Sequence, residues 1–316
     1  LFDFKKYNGG FLLQIPDTTN PEVIPPYIKQ DKMMSVFRKS IDYQKVMNLS
    51  NVGELNQANH RGDIHTLVKV SEVLQEREIT KIADEIAEKY HQGGARVVLI
   101  SGPSSSGKTT FCKRLQVQLL ANALRPVSIS LDDYYVNRVD TPLTSDGEWD
   151  FESLYAIDLD LFKADLEKII NGERVNLPTY DFVIGERVYR GNSIQLAENS
   201  ILVMEGIHAL NPELIPDIDQ ALTYKIYVSA LTSISLDDHN WIPTTDNRLI
   251  RRIVRDHQFR NYSAKETISR WNSVRKGEDE WIFPFQEGAD AMFNSAMLYE
   301  LAALRRTAEP ILMGVA

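Results

Sequence analysis

The run Gly102-Pro103-Ser104-Ser105-Ser106-Gly107-Lys108-Thr109 constrains this chain more than any other stretch. It fits G-x-x-x-x-G-K-[ST], the phosphate-binding loop, without a mismatch. The flanks decide its meaning. Arg96-Val97-Val98-Leu99-Ile100-Ser101 is a short β-branched run that reads as a buried strand. After the loop, residues 110–123 carry Phe111, Leu115, Leu119 and Leu120 at helical spacing. Strand, glycine loop and helix together turn backbone N–H groups and a helix N-terminus toward phosphate oxygens. A nucleoside triphosphate is therefore expected between Gly102 and Thr110, with Lys108 on its β- and γ-phosphates and the Thr109 hydroxyl on Mg²⁺. A Gly/Ser loop placed before a helix by chance would not bring both flanks.

The bulk numbers narrow the class. At 316 residues there is room for roughly two domains, and a 43% hydrophobic, 25% charged composition is that of a soluble globular protein. A formal charge of −9 argues against nucleic acid or a membrane surface as general partners. No apolar run approaches the roughly 20 residues of a membrane span, and the first residues lack the basic-then-apolar order of a signal peptide. The chain starts without Met, which leaves room for a longer parent. A single cysteine, Cys112, precludes an internal disulfide and fits a reducing, cytoplasmic compartment. One turn into the helix after the loop, it suits a buried packing residue. The six histidines are scattered, without zinc-ligand spacing.

Along the chain, residues 1–48 read as irregular or β-rich, punctuated by Pro16, Pro21 and Pro25-Pro26. Asn51-Val52-Gly53-Glu54-Leu55-Asn56 reads as a loop entering a helix. Residues 63–90 hold apolar positions spaced for two amphipathic helices, which Gln92-Gly93-Gly94 ends. A domain boundary is expected there, between an α+β module of residues 1–94 and a second domain of residues 95–316. The second domain alternates strands with helices, the pattern of an α/β fold whose mostly parallel sheet is covered by helices. Its further strands are Pro126-Val127-Ser128-Ile129-Ser130-Leu131, Ser200-Ile201-Leu202-Val203-Met204-Glu205, Tyr224-Lys225-Ile226-Tyr227-Val228 and Asp290-Ala291-Met292-Phe293. Helices are expected over 159–171, closed by Gly172, over 247–260, and after the last strand through Arg306.

Ligands of open α/β sheets bind beyond the carboxyl ends of the strands. Asp132-Asp133 follow one strand, Glu205 ends another, and Asp150 lies in the loop between. Phosphoryl transfer needs one group to deprotonate the attacking hydroxyl and another to hold Mg²⁺ or its waters; Asp132 suits the first and Glu205 the second. By themselves the paired aspartates would only open a turn. Arg248, Arg251, Arg252 and Arg255 recur at three and four residues, so at least three share a helix face. Such a face is either solvated and salt-bridged, or a lid placing guanidinium groups on the transferring phosphate. Five arginines between 248 and 260 in an acidic chain favour the lid. Tyr180-Asp181-Phe182, with Trp149, Tyr134 and Tyr135, could grip a base or sugar or merely anchor loops. The Asn-Lys-x-Asp pattern of guanine-reading switches is absent.

Taken together these strings resemble the phosphoribulokinase/uridine kinase family of P-loop kinases over most of residues 95–310. The resemblance rests on the phosphate loop through Thr110, Ser130-Leu131-Asp132-Asp133-Tyr134-Tyr135, Pro178-Thr179-Tyr180-Asp181-Phe182, Met204-Glu205-Gly206-Ile207-His208 and the string from Arg248 to Asp256. It implies Asp132 as base for a nucleoside 5′-hydroxyl, Asp150 on the ribose hydroxyls, and Tyr135, Tyr180 and Phe182 in the nucleoside pocket. It implies Arg251 and Arg255 in the lid helix and Glu205 near the metal. The sequence departs in one respect: Val183-Ile184-Gly185-Glu186-Arg187 follows Tyr-Asp-Phe without the histidine that contacts the pyrimidine in uridine kinases. Residues 50–90 resemble the second additional domain of threonyl-tRNA synthetases, although His60 and His65 are off that module's His-x-x-x-His spacing.

The expected function is an ATP- and Mg²⁺-dependent kinase acting on a hydroxyl of a nucleoside-like small molecule, uridine or cytidine first. The alternatives are another hydroxyl acceptor, such as a sugar phosphate or modified nucleoside, and a nucleotide-dependent regulator that binds RNA or protein. A homo-oligomer is compatible with every one of these.

Overall fold

A computed structural model describes residues 2–7, 10–17, 20–144, 147–216 and 218–315. The chain opens with an antiparallel hairpin of β1 (Asp3–Tyr7) and β2 (Gly10–Gln14). Helices α1 (Asp31–Met47), α2 (Val52–Arg61) and α3 (Ile64–His91) follow. The sequence reading of residues 1–48 misses α1, although Met33, Val36, Phe37, Ile41 and Met47 recur at helical spacing and are partly buried; the prolines of residues 16–26 punctuate only the segment before it. The helix entry at Asn51 is as expected: its side chain caps α2 by accepting from the Glu54 N–H at 2.9 Å. Residues 64–91 form one 28-residue helix rather than two, because no Gly or Pro interrupts the run.

Next come β3 (Val97–Ser101), α4 (Lys108–Ala121), β4 (Arg125–Ser130) and α5 (Leu159–Ile170). The short strands β5 (Val175–Asn176), β6 (Thr179–Asp181), β7 (Glu186–Val188) and β8 (Ser193–Ile194) form two small antiparallel pairs, β5 with β8 and β6 with β7. Then follow β9 (Ser200–Glu205), β10 (Thr223–Ser229), α6 (Thr244–Phe259), α7 (Ala264–Ser269), α8 (Trp271–Trp281), β11 (Ala291–Asn294) and α9 (Glu300–Met313).

The central sheet has the order β11-β10-β3-β9-β4 with all its strands parallel. Every residue of β3 is buried, as its unbroken apolar run requires of a strand covered on both faces. One face packs Val98 and Ile100 against Phe111, Leu115 and Leu119 of α4. The other packs Val97 and Leu99 against Phe162 and Leu166 of α5.

The first of these cores also contains Ile79, Ile82, Ala83, Ile86 and Ala87 of α3. Burying its three isoleucines is worth roughly 1.5–3 kcal/mol each. The expected boundary at Gly94 therefore runs through a shared core, and α3 is a covering helix of the sheet. Cys112 sits inside that core at 2% exposure, the packing role expected of it.

Register places the site. Ile100 of β3 lies opposite Glu205 of β9, and Glu205 lies opposite Ser130 of β4. The phosphate loop, Glu205 and Asp132 thus leave three adjacent strands at the same edge.

Candidate active site

The loop leaves β3 against the neighbouring strand. A Cβ on Gly102 would sit 2.0 Å from the Val228 carbonyl oxygen of β10, so no other residue fits there. Lys108 folds back over the loop, its Nζ donating to the carbonyls of Gly102 (2.9 Å) and Pro103 (3.3 Å). Burial holds its ammonium below the usual lysine range, and Glu205 and Asp132 pull in the opposite direction. The Thr109 hydroxyl donates to Glu205 Oε1 at 3.0 Å, so the two residues expected at the metal meet. Burial pushes the Glu205 carboxyl up, and the nearby charge of Asp132 adds to it.

The arginines of α6 divide in two. Arg248, 1% exposed, grips Glu278 of α8 with two nitrogens and donates to the Ser104 carbonyl at 3.1 Å. Glu278 accepts in turn from the Ser104 N–H at 3.1 Å. Both peptide groups of one loop residue are therefore held by a buried ion pair. Arg251 binds Glu300 of α9 and reaches Ser295 at its hydroxyl and its carbonyl, each at 3.1 Å. These two residues join α6 to α8 and α9, the salt-bridged face that the sequence offered beside the lid. Arg251 nonetheless also lines the phosphate cavity beside Lys108, Thr109, Glu205 and Arg255. Arg252 donates to the Ser104 hydroxyl at 2.8 Å. Arg255 lies against Asp256 at 2.7 Å, and burial lowers its guanidinium to about 10.

The adjoining cavity brings Lys108 and Asp132 together with Tyr135, Tyr180 and Phe182. Asp132 and Asp133 open the 3-10 turn that follows β4, and they part there. Asp132 lines the cavity, while Asp133 accepts from the Tyr180 N–H at 3.1 Å and so fastens the β6–β7 pair. The three rings meet edge to face: Tyr180 and Phe182 at 5.0 Å, Tyr135 and Tyr180 at 5.6 Å, Tyr135 and Phe182 at 6.4 Å. The Tyr135 hydroxyl donates to the Phe151 carbonyl, whereas the buried Tyr180 hydroxyl has no hydrogen-bond partner among the described residues. Trp149, exposed, packs on Phe151.

Asp150 does not line this cavity. Its carboxylate accepts from the Glu152 N–H at 3.1 Å, and Glu152 is the residue that faces inward. Glu152 is 8% exposed, lies 3.6 Å from Arg252, and is pushed up by burial. Gly277 of α8 makes room for it, since a Cβ there would stand 2.3 Å from that of Glu152. The sequence signal was slight: Glu152 is two positions on from the aspartate that was singled out. Arg138 and Arg270, which the sequence reading does not single out, line the same cavity, as does Arg260, counted in that reading only among the five arginines of the 248–260 stretch. Arg138 donates to the Phe182 carbonyl at 2.8 Å, and Arg260 stacks over the Phe182 ring at 4.5 Å.

The Phosphoribulokinase / Uridine kinase family model matches residues 97–301. The chain belongs to that family. Within it, the uridine kinase of Ureaplasma urealyticum is 27% identical over 195 residues, 61% of this chain and 85% of that one. The uridine kinase of Staphylococcus aureus strain JH9 is 28% identical over the same length, covering 84% of it. Uridine kinase-like protein 5 of Arabidopsis thaliana is 27% identical over 195 residues, and the match spans 38% of its length. The solved structure of a possible uridine kinase from Bacillus stearothermophilus is 20% identical and aligns with 69% of this chain and all of that one, at a TM-score of 0.46. The hairpin and α1–α3 precede the family match.

As a member of the phosphoribulokinase/uridine kinase family, the chain is an ATP-dependent kinase acting on a hydroxyl. The residues present suit both the nucleotide and Mg²⁺. The Ser105 and Ser106 hydroxyls are buried in the loop with no hydrogen-bond partner among the described residues. Thr109 and Glu205 offer hard oxygens at one point, the donor set that Mg²⁺ takes alongside phosphate and water.

Proposed function

We propose that this kinase transfers the γ-phosphate of ATP to a hydroxyl of a nucleoside-like small molecule, with the 5′-hydroxyl of a pyrimidine nucleoside as first candidate. One observation carries the reading: Asp132 lines one cavity together with Lys108 and the rings of Tyr135, Tyr180 and Phe182. Lys108 exchanges the Gly102 and Pro103 carbonyls for phosphate oxygens. The rings hold the flat part of the acceptor, and Glu152, in place of Asp150, binds its other hydroxyls. Asp132 takes the proton as the acceptor oxygen bonds to phosphorus and the bond to ADP breaks. Arg255 and Arg251 stabilise charge on the transferring group. Thr109 and Glu205 would hold Mg²⁺, which when bound neutralises phosphate charge.

A second reading has its own support. Arg138, Arg260 and Arg270 line this cavity, the first two against Phe182, and no histidine follows Tyr-Asp-Phe. They favour an acceptor that carries an anionic group, such as a sugar phosphate. ADP release measured over a panel of uridine, cytidine, purine nucleosides and ribose 5-phosphate separates the two. The first reading requires uridine or cytidine to have the highest kcat/KM. A phosphorylated sugar ahead of both would replace it with the second. Failure of every acceptor, with ATP-dependent RNA binding, would point to a regulator.

A further inference from the structure

In-line transfer puts the acceptor and the departing ADP on opposite sides of the phosphorus. Two of the cavities share residues with the phosphate cavity. The first shares Lys108, Asp132 and Arg255 with it, and is the acceptor side. The second shares Gly107, Thr110 and Arg251, and Asp132 is absent from its wall. A donor whose γ-phosphate faces Asp132 therefore carries its sugar and base toward this second cavity.

The wall of this cavity draws on two parts of the chain. Thr110 and Arg114, one turn apart on α4, line it together. Arg114 is braced by α3: its Nη1 donates to Gln75 Oε1 at 2.9 Å, and its Nε and Nη2 donate to Glu76 Oε2 at 3.2 and 2.5 Å. Glu76 is itself steadied at Oε1 by the Gln118 amide. Gln75 also reaches the carbonyls of Asn294 and Ala296 at 3.4 and 3.5 Å, and Met297, next along, lines the cavity. All three guanidinium nitrogens are thus bonded to α3, while 29% of the side chain stays accessible. Such bonds occupy the edge of a guanidinium and leave its flat face, the surface on which aromatic rings and nucleobases stack. The brace comes from a helix that ends at His91, ahead of the family match at residue 97.

We propose that Arg114, held flat by Gln75 and Glu76 of α3, is the surface on which the base of ATP stacks. The N-terminal helices thereby complete the donor site, and α3 sets how much tighter the kinase holds a nucleoside triphosphate than a bare triphosphate. Arg114 acts on the base directly, and Glu76 is a positioning residue that acts through it. The placement rests on Asp132 marking the acceptor side; that reading stands or falls by turnover of Asp132→Asn, whereas binding without acceptor decides this one.

The test measures the Kd of a non-hydrolysable ATP analogue and of inorganic tripolyphosphate by titration calorimetry on the chain as it stands. Arg114→Ala is expected to weaken the analogue about fivefold to thirtyfold, the value of one stacked ring, and to leave tripolyphosphate within about twofold. Arg114→Lys keeps the charge without the plane and should recover little of that loss. Glu76→Ala leaves Arg114 present but unbraced, and should weaken the analogue about threefold with tripolyphosphate again unmoved. If Arg114→Ala does not fold, Arg114→Lys and Glu76→Ala still decide. An analogue Kd unmoved by these substitutions would leave Arg114 a strut between two helices and overturn the proposal. An equal loss for tripolyphosphate, or full rescue by lysine, would place its charge on the phosphates instead and overturn it as well.

Discussion

Around the phosphate loop, Ser104 is held at its N–H and its carbonyl by an ion pair that water barely reaches, Arg248 being 1% exposed. Around the rings proposed to hold the acceptor, Phe182 is 36% exposed and is positioned by ring contacts and one bond from Arg138. The contrast follows from what each half meets. A triphosphate presents the same oxygens each time, and a preorganised cradle of N–H groups and charges serves it best. An acceptor is recognised by shape, and rings that meet edge to face adapt to it at little cost. Removing one member of a buried ion pair strands the other, whereas trimming a ring leaves its neighbours able to settle.

Four substitutions probe this contrast. Asp132→Asn should have the largest effect, lowering kcat by roughly 10²–10⁴, the usual worth of a positioned base. ATP-analogue affinity should stay within about twofold, and near-full turnover in a coupled ADP assay would remove Asp132 from the chemistry. Arg248→Ala should cost about 3–5 kcal/mol in denaturant unfolding, because Glu278 is left buried and unpaired. It should also weaken nucleotide binding through Ser104. A loss under 1 kcal/mol would mean that the donor half is not braced as described.

An acid titration comes next in size. His208 is fully buried, and burial lowers its imidazole from 6.5 to about 4. At this residue the unfolded chain thus binds more protons than the folded one between those values. Stability from this residue is complete above about pH 6.5 and is lost as pH falls toward 4, by roughly 3 kcal/mol in all. His208→Gln should flatten unfolding free energy against pH in that window, and an unaltered slope would show that other groups set it. The smallest effect belongs to Tyr180→Phe. Its hydroxyl has no hydrogen-bond partner among the described residues, so stability should move by less than about 1 kcal/mol. The acceptor KM should rise roughly threefold to tenfold with the KM for ATP unchanged, and an unmoved acceptor KM would place that hydroxyl away from the acceptor.

Much of the donor half was legible in the chain itself. The glycine loop, the β-branched runs and the carboxylates at their ends are local patterns, and a parallel sheet brings strand ends together by its own geometry. Glu205 beside Thr109 follows from that register. The acceptor half resisted because its residues sit in loops, where no period tells an inward side chain from an outward one. Whether Asp150 or Glu152 faced the cavity turned on Gly277, which leaves space in a helix far along the chain. A helix face likewise grouped Arg248 with Arg255, and only Glu278 on α8 set them apart.

The sequence by itself determined that a strand delivers a phosphate-binding loop to a helix, and that acidic residues wait at the neighbouring strand ends. Those features depend on residue type at short spacing, which the chain carries directly. Tertiary structure decided which arginines are paired away in buried ion pairs and which line the cavities, that α3 belongs to the covered sheet across Gly94, and that Glu152 rather than Asp150 lines the cavity with Asp132. Those outcomes depend on burial and pairing between segments far apart in sequence, and a buried charge takes its role from the partner it finds there.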